Sequence, residues 1–209
     1  MEKPDWIQRS RRVDDVIIDI GFLVQKSVYY GDENNFTHDD WLKLREPVYQ
    51  PKTDMYGDFL LSESVLESRI ELIRYYQDVI RALKVHRLKI EKLQTYSWLR
   101  PIIFSRGVFA MTFPWYDTWQ EAESLFNGLQ NVNDGLIFED MDQGWEFNAF
   151  AEHDTLFLRQ GDLETGKEHF LVRCPRDLLT RQIQKIRERM PSILHELRTT
   201  IGHDYWSKM

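Results

Sequence analysis

The stretch Leu136-Ile137-Phe138-Glu139-Asp140-Met141-Asp142-Gln143-Gly144-Trp145-Glu146-Phe147-Asn148-Ala149-Phe150-Ala151-Glu152 decides the fold class. Its second half alternates. Trp145, Phe147, Ala149 and Ala151 fall on one side and Glu146, Asn148, Phe150 and Glu152 on the other, the period of a strand with one mostly buried face. Its first half is a short apolar run, and Asp142-Gln143-Gly144 carries the turn chemistry that folds one half onto the other. Downstream, Thr155 to Gln160 and Glu168 to Cys174 read as two further strands, joined by the polar loop Gly161 to Lys167 with a glycine near each end. Together these segments predict a four-stranded antiparallel meander.

After the meander the period changes. Leu178, Leu179, Ile183, Ile186, Met190, Ile193, Leu194, Leu197 and Ile201 recur at helical spacing behind Pro175 and Asp177, so an amphipathic helix covers the sheet. Pro191 inside that pattern predicts a kink or break near Arg189, and Gly202 a stop.

Upstream, Val13, Val16, Ile17, Ile20, Leu23, Val24 and Val28 predict a helix over 13–30. A short helix over His38 to Leu44 is stopped by Pro47, with further turns at Pro51 and Gly57. Ser64 and Glu67 form a capping box that opens one long helix reaching about Trp98, with an apolar stripe that weakens after Leu83. Pro101 to Phe113 is apolar on both faces and predicts a single covered strand with a bulge at Arg106-Gly107. Asp117, with Gln120 three residues on, caps a short helix that ends near Gly128. Helices and strands do not alternate regularly, so the class is α+β: a mostly antiparallel sheet with a C-terminal four-stranded meander, packed against long amphipathic helices. With no Gly-, Ser- or Pro-rich linker, one domain is expected over 1–209, with residues 1–98 helical and residues 99–209 rich in sheet.

A chain of 209 residues with 42% hydrophobic content excludes disorder and buries about 70% of its unfolded surface. The longest apolar run, Val16 to Val24, is interrupted by Asp19 and too short to span a bilayer, so no membrane partner is expected. With Cys174 as the single cysteine no internal disulfide forms, and a cytoplasmic location is expected. The sequon Asn35-Phe36-Thr37 then has no consequence.

Charge is unevenly spread. Asp134 to Glu168 holds ten acids and two bases, a balance of −8, while Arg69 to Arg106 holds nine bases and three acids, a balance of +6. Acids on exposed strand faces keep a sheet soluble and its edges unpaired, and they also attract a basic partner. The basic stretch has few aromatics beyond Tyr75 and Tyr76, and the chain's pI of about 5.4 is acidic, so no nucleic acid is expected as partner.

Catalytic motifs fail on spacing. Gly161 to Lys167 matches the phosphate-loop pattern, but Glu168 stands where a magnesium-holding hydroxyl belongs, and a strand follows instead of a helix. The loop therefore reads as a hairpin. Asp140, Asp142 and Gly144 open like a calcium loop, but the glycine is fifth rather than sixth and Ala151 takes the twelfth place. The six histidines form no metal-binding cluster, and Cys174 reads as a small buried hydrophobe. Phe113-Pro114-Trp115-Tyr116 with Trp119 reads as core at a strand-to-helix junction. No cofactor is expected.

The functional expectation is an acidic, non-catalytic binding protein that neutralises a basic protein partner, of the kind represented by the immunity protein of a bacterial toxin. Its contact residues are Glu139, Asp140, Asp142, Trp145, Glu146, Asp162 and Glu164. Reversing Glu139, Asp140 and Asp142 to Lys is expected to weaken the complex and leave the thermal midpoint nearly unchanged. The alternative is a hydrolase or nucleic-acid-processing enzyme in which His153, Asp154 and His169 converge at the sheet. A third expectation is a homodimer through the helix over 64–98.

Overall fold

The computed structural model describes residues 3–32, 37–54 and 58–207. The turn at Gly57 and the sequon residues Asn35 and Phe36 lie outside the described residues. In chain order the strands are β1 (Arg11–Arg12), β2 (Ile17–Leu23), β3 (Ser27–Tyr29), β4 (Arg45–Pro47), β5 (Phe59–Leu61), β6 (Leu99–Ser105), β7 (Phe109–Thr112), β8 (Gly135–Asp142), β9 (Trp145–Glu152), β10 (Thr155–Asp162) and β11 (Glu168–Pro175). The α-helices are α1 (His38–Lys43), α2 (Ser62–Glu67), α3 (Arg69–Val85), α4 (Trp119–Leu129) and α5 (Arg176–Ile201), with short 3-10 helices at Asp5–Arg9 and Ile90–Tyr96. The fold is α+β, and the expected C-terminal meander and closing helix are present. Two compact units share the chain: Met1–Ile20 with Arg100–Glu188, and Gly21–Leu99 with Arg189–Met209.

The first unit is built on a five-stranded sheet of order β1-β11-β10-β9-β8, in which only β1 runs parallel to its neighbour. Gln143 and Gly144 both take positive φ between the paired residues Asp142 and Trp145, the geometry of a type I′ hairpin turn. Register sets the faces. Phe147, Ala149, Leu156, Leu158, Val172 and Cys174 share the inner face and are all buried. Against that face Phe113 meets Phe147 edge-on with ring centres 4.9 Å apart, and Gln160 donates to the Thr112 carbonyl at 3.2 Å. Gly128 of α4 lies so close to Phe138 that an added Cβ would sit 2.1 Å from the ring, so a side chain there is excluded. On the outer face the N-terminal 3-10 helix packs Ile7 and Trp6 over Phe150 and Phe157. Gln182 of α5 bonds β2 at both its amide and carbonyl groups, accepting from Ile18 N and donating to Val16 O at 2.9 Å each.

In the second unit the end of β2 pairs with β5, and β3 pairs with β4. Leu72, Ile73, Tyr76, Val79 and Leu83 form the buried stripe of α3. Arg189 donates to Ser62 Oγ at 2.7 Å, and Arg69 pairs with Glu196 at 2.6 Å. Trp206 is fully buried, edge-on to Tyr76, and donates its indole N–H to the Tyr76 hydroxyl at 3.1 Å. Some of the cationic face of α3 is already paired within this unit: Arg81 bonds Asp78 at 2.6 Å, and Arg74 lies over the Tyr49 ring.

Five local expectations are corrected. The helix over 13–30 is instead the strands β2 and β3, so residues 1–98 are not simply helical. Val16 to Phe22 is apolar at nearly every position, and in such a run helical spacing is satisfied by default. The β-branched Val16, Ile17, Ile18 and Ile20 then decide for strand, and even Asp19 is buried. The single helix over 64–98 is α2, α3 and a 3-10 turn; Ser64 is no N-cap but donates to Asp54 at 2.9 Å inside α2, which begins at Ser62. Pro101 to Phe113 is a hairpin, with Arg106-Gly107 as its turn and Gly107 at positive φ. The cap of α4 is Thr118 with Glu121, one residue later than expected. Of the kink or break expected near Arg189, the break does not occur: α5 runs as one helix through Pro191, because Ile186, Met190, Ile193, Leu194 and Leu197 all stay buried and outweigh one missing backbone bond.

Candidate binding surface at the meander tip

The β8–β9 turn and the β10–β11 loop lie at the same end of the sheet, and Leu163 N donates to Gly144 O at 2.8 Å to join them. The loop closes on itself: Asp162 accepts from Thr165 N at 2.8 Å, and that bond holds its carboxyl below the ordinary range. Gly166 N donates to Asp162 O and Asp162 N to Lys167 O. A phosphate cradle needs outward-facing amides, and these are spent internally, so the segment is a hairpin loop. At its exit β11 carries one residue more than β10, since Gln160 faces Phe170 and Gly161 faces Glu168. His169 is that extra residue, and its ring lies 5.1 Å from Trp145.

The seven expected contact residues divide by strand parity and by what already occupies them. Asp140 points to the inner face, where it accepts from Trp115 Nε1 at 2.6 Å and from the Tyr116 hydroxyl. Burial, with that bond behind it, holds the Tyr116 hydroxyl above its ordinary range. Trp145 is half-buried against His169. Glu146 is on the outer face in a cross-strand row: Arg159 bonds it at 2.8 Å and also bonds Glu168 at 3.3 Å, and Arg9 bonds Glu168 at 2.7 Å. Asp162 caps its own loop. Glu139, Asp142 and Glu164 remain exposed, and among the described residues none of the three has an ion pair or side-chain hydrogen bond. Between and beside them Met141 is 52% and Leu163 45% exposed, so the tip offers acids together with apolar area. Lys167 is the cation within the loop. Sequence reasoning missed Met141 and Leu163; their place on exposed strand and loop positions was the available signal.

His153 and Asp154 do not meet His169. They form the β9–β10 turn, and the first residue of β10 beyond it, Thr155, lies seven residues from Asp162, about 23 Å at ~3.3 Å per residue. The premise of the enzyme alternative, convergence of these three side chains, is thus corrected. Beside that turn is a cavity of about 270 Å³ lined by Arg12, Asp154, Thr155, Arg173, Cys174 and Pro175. Burial pushes the Cys174 thiol up to about 12. The protein should resist iodoacetamide at pH 7.5 and react stoichiometrically once unfolded in urea, because only the thiolate attacks. Rapid labelling of the folded protein would overturn this reading of Cys174.

No group of three or more His, Cys, Asp or Glu among the described residues is arranged to hold a metal ion, and no described helix is long and apolar enough to cross a membrane. Comparisons with protein-family models, curated proteins and solved structures find no match to this chain.

Proposed function

We propose that this chain is a non-catalytic cytoplasmic binding protein whose meander tip captures a basic protein partner and neutralises it, as an immunity protein does a toxin. One observation carries the reading. Glu139, Asp142 and Glu164 stand unpaired around the exposed Met141 and Leu163, on two hairpin ends bonded to each other. Unpaired surface carboxylates raise association rates with a cationic partner, and apolar side chains among them supply area that holds the complex once formed. Asp140, Glu146 and Asp162 support the tip from within.

The test is capture from lysate of the source cells, followed by affinity measurement with the purified partner. Glu139→Lys/Asp142→Lys/Glu164→Lys should weaken a basic partner at least about tenfold, mostly through slower association, with a steep salt dependence in the parent and a shallow one in the variant. The thermal midpoint should move by no more than about 2 °C, since exposed unpaired acids contribute little to stability. Unchanged affinity removes the reading. Self-association is the second reading, favoured by Leu66 and Ile70, which are 45% and 67% exposed. A mass that stays monomeric across concentrations sinks it.

A further inference from the structure

We propose that the partner docks as an added β-strand on the open edge of β8, an inference that rests on the reading above and names the form of its partner. β8 is the terminal strand of the five-stranded sheet. Among the described residues, the backbone of Gly135 to Asp142 receives no hydrogen bond other than those of the β8–β9 ladder. Edge strands are normally blunted by Pro, by charged side chains or by a bulge that twists them away, and on β8 the charges are the three acids Glu139, Asp140 and Asp142, which oppose a like-charged strand but not a cationic one. Gly135–Asp142 contains no Pro, Lys or Arg, and its one irregularity falls between Leu136 and Phe138, leaving Phe138 to Asp142 in regular register with β9. That is the template that strand addition uses.

Register also states what the added strand carries. Glu139 and Met141 point to the outer face, opposite Asn148 and Glu146, where the row of Glu146, Arg159, Glu168 and Arg9 continues across the sheet. A side chain laid beside Glu139 on that face is favoured if cationic. The other face of the added strand runs beside Phe138 and Asp140, and Asp140 is already engaged by Trp115 and Tyr116, so small or apolar residues fit there. The occupant is therefore an extended segment of a foreign protein with Lys or Arg alternating with apolar residues. A second copy of this chain is disfavoured, because pairing β8 with β8 brings Glu139, Asp140 and Asp142 against their own kind. The acids that guard the edge against self-pairing are the ones that select a basic strand.

The probe is a labelled, end-capped peptide of about ten residues alternating Lys and Val, with two versions N-methylated either at every Lys or at every Val. Anisotropy at low salt with the full chain should show the parent peptide binding. One methylated version should lose at least about tenfold and the other keep its affinity within about threefold, because only every second amide of a strand faces its neighbour. Glu139→Lys should weaken the parent peptide by a similar factor. Loss with both methylated versions, or with neither, overturns strand addition; in the second case attraction by charge alone survives, and with it the proposed function. A parent peptide that fails to bind while a purified basic partner does bind overturns strand addition only. Failure of both removes inference and reading together. Dimerisation of the chain that the peptide disperses would assign the edge to a second copy and overturn the foreign strand.

Discussion

Trp206→Ala should lower unfolding free energy by about 3–5 kcal/mol, the range for removing a fully buried large aromatic. The indole is 0% exposed, edge-on to the Tyr76 ring at 5.0 Å between centres, and its N–H is bonded to the Tyr76 hydroxyl at 3.1 Å. Tyr76 is itself fully buried, and that burial holds its hydroxyl far above the ordinary tyrosine range. Truncation therefore opens a cavity and also takes the hydrogen-bond partner from a hydroxyl that water does not reach. Trp206→Phe should recover more than half of the loss by keeping most of the volume. Urea unfolding followed by far-UV circular dichroism reads both. A loss below about 1 kcal/mol for the Ala variant would show that the segment after Gly202 does not anchor its unit.

Asp140→Lys should lower stability by about 3 kcal/mol or more, a fall of roughly 6–12 °C in midpoint for a chain of this size. The expectation from sequence alone, that reversing Glu139, Asp140 and Asp142 leaves the midpoint nearly unchanged, treats the three acids alike, and they are not alike. Asp140 accepts the indole N–H of Trp115, which is 8% exposed, and the Tyr116 hydroxyl; an ammonium there offers neither donor an acceptor. Glu139→Lys/Asp142→Lys should instead move the midpoint by no more than about 2 °C. Asp140→Asn should fall between them, since an amide oxygen still accepts but without charge. Equal midpoints for the Asp140 and Glu139/Asp142 variants would refute the division of these acids between two faces. Binding tests at the tip therefore use Glu164 in place of Asp140.

Much of the meander was legible because its signals are local. Period two over Trp145 to Glu152 and the Gln143-Gly144 turn specify a hairpin whatever surrounds them, and Gly202 at positive φ ends α5 where the pattern stops. Boundaries at caps were less legible. Asp117 and Thr118 are both competent N-cap residues with an amide- or carboxylate-bearing side chain three positions on, and the choice falls to the one whose geometry the preceding chain allows.

The composition and order of the residues determined by themselves the α+β class, the four-stranded meander, the closing amphipathic helix and the acidic character of the meander, because each depends on short-range period, turn chemistry or charge count. Only the tertiary structure decided three further matters. Val16 to Phe22 became a buried strand because a run apolar on all sides leaves the choice to its neighbours, here β5 at Gly21–Leu23 and Gln182 at Val16 and Ile18. His153 and His169 were set at opposite ends of the sheet because hairpin register, not sequence distance, sets separation along a strand. Of the seven acidic and aromatic tip residues, Asp140, Glu146 and Asp162 were spent on internal partners while Glu139, Asp142 and Glu164 stayed free. A carboxylate's availability depends on which donors the fold brings within about 3 Å of it; those of Asp140 and Glu146, namely Trp115, Tyr116 and Arg159, come from elsewhere in the chain, whereas Asp162 takes Thr165 N from its own loop.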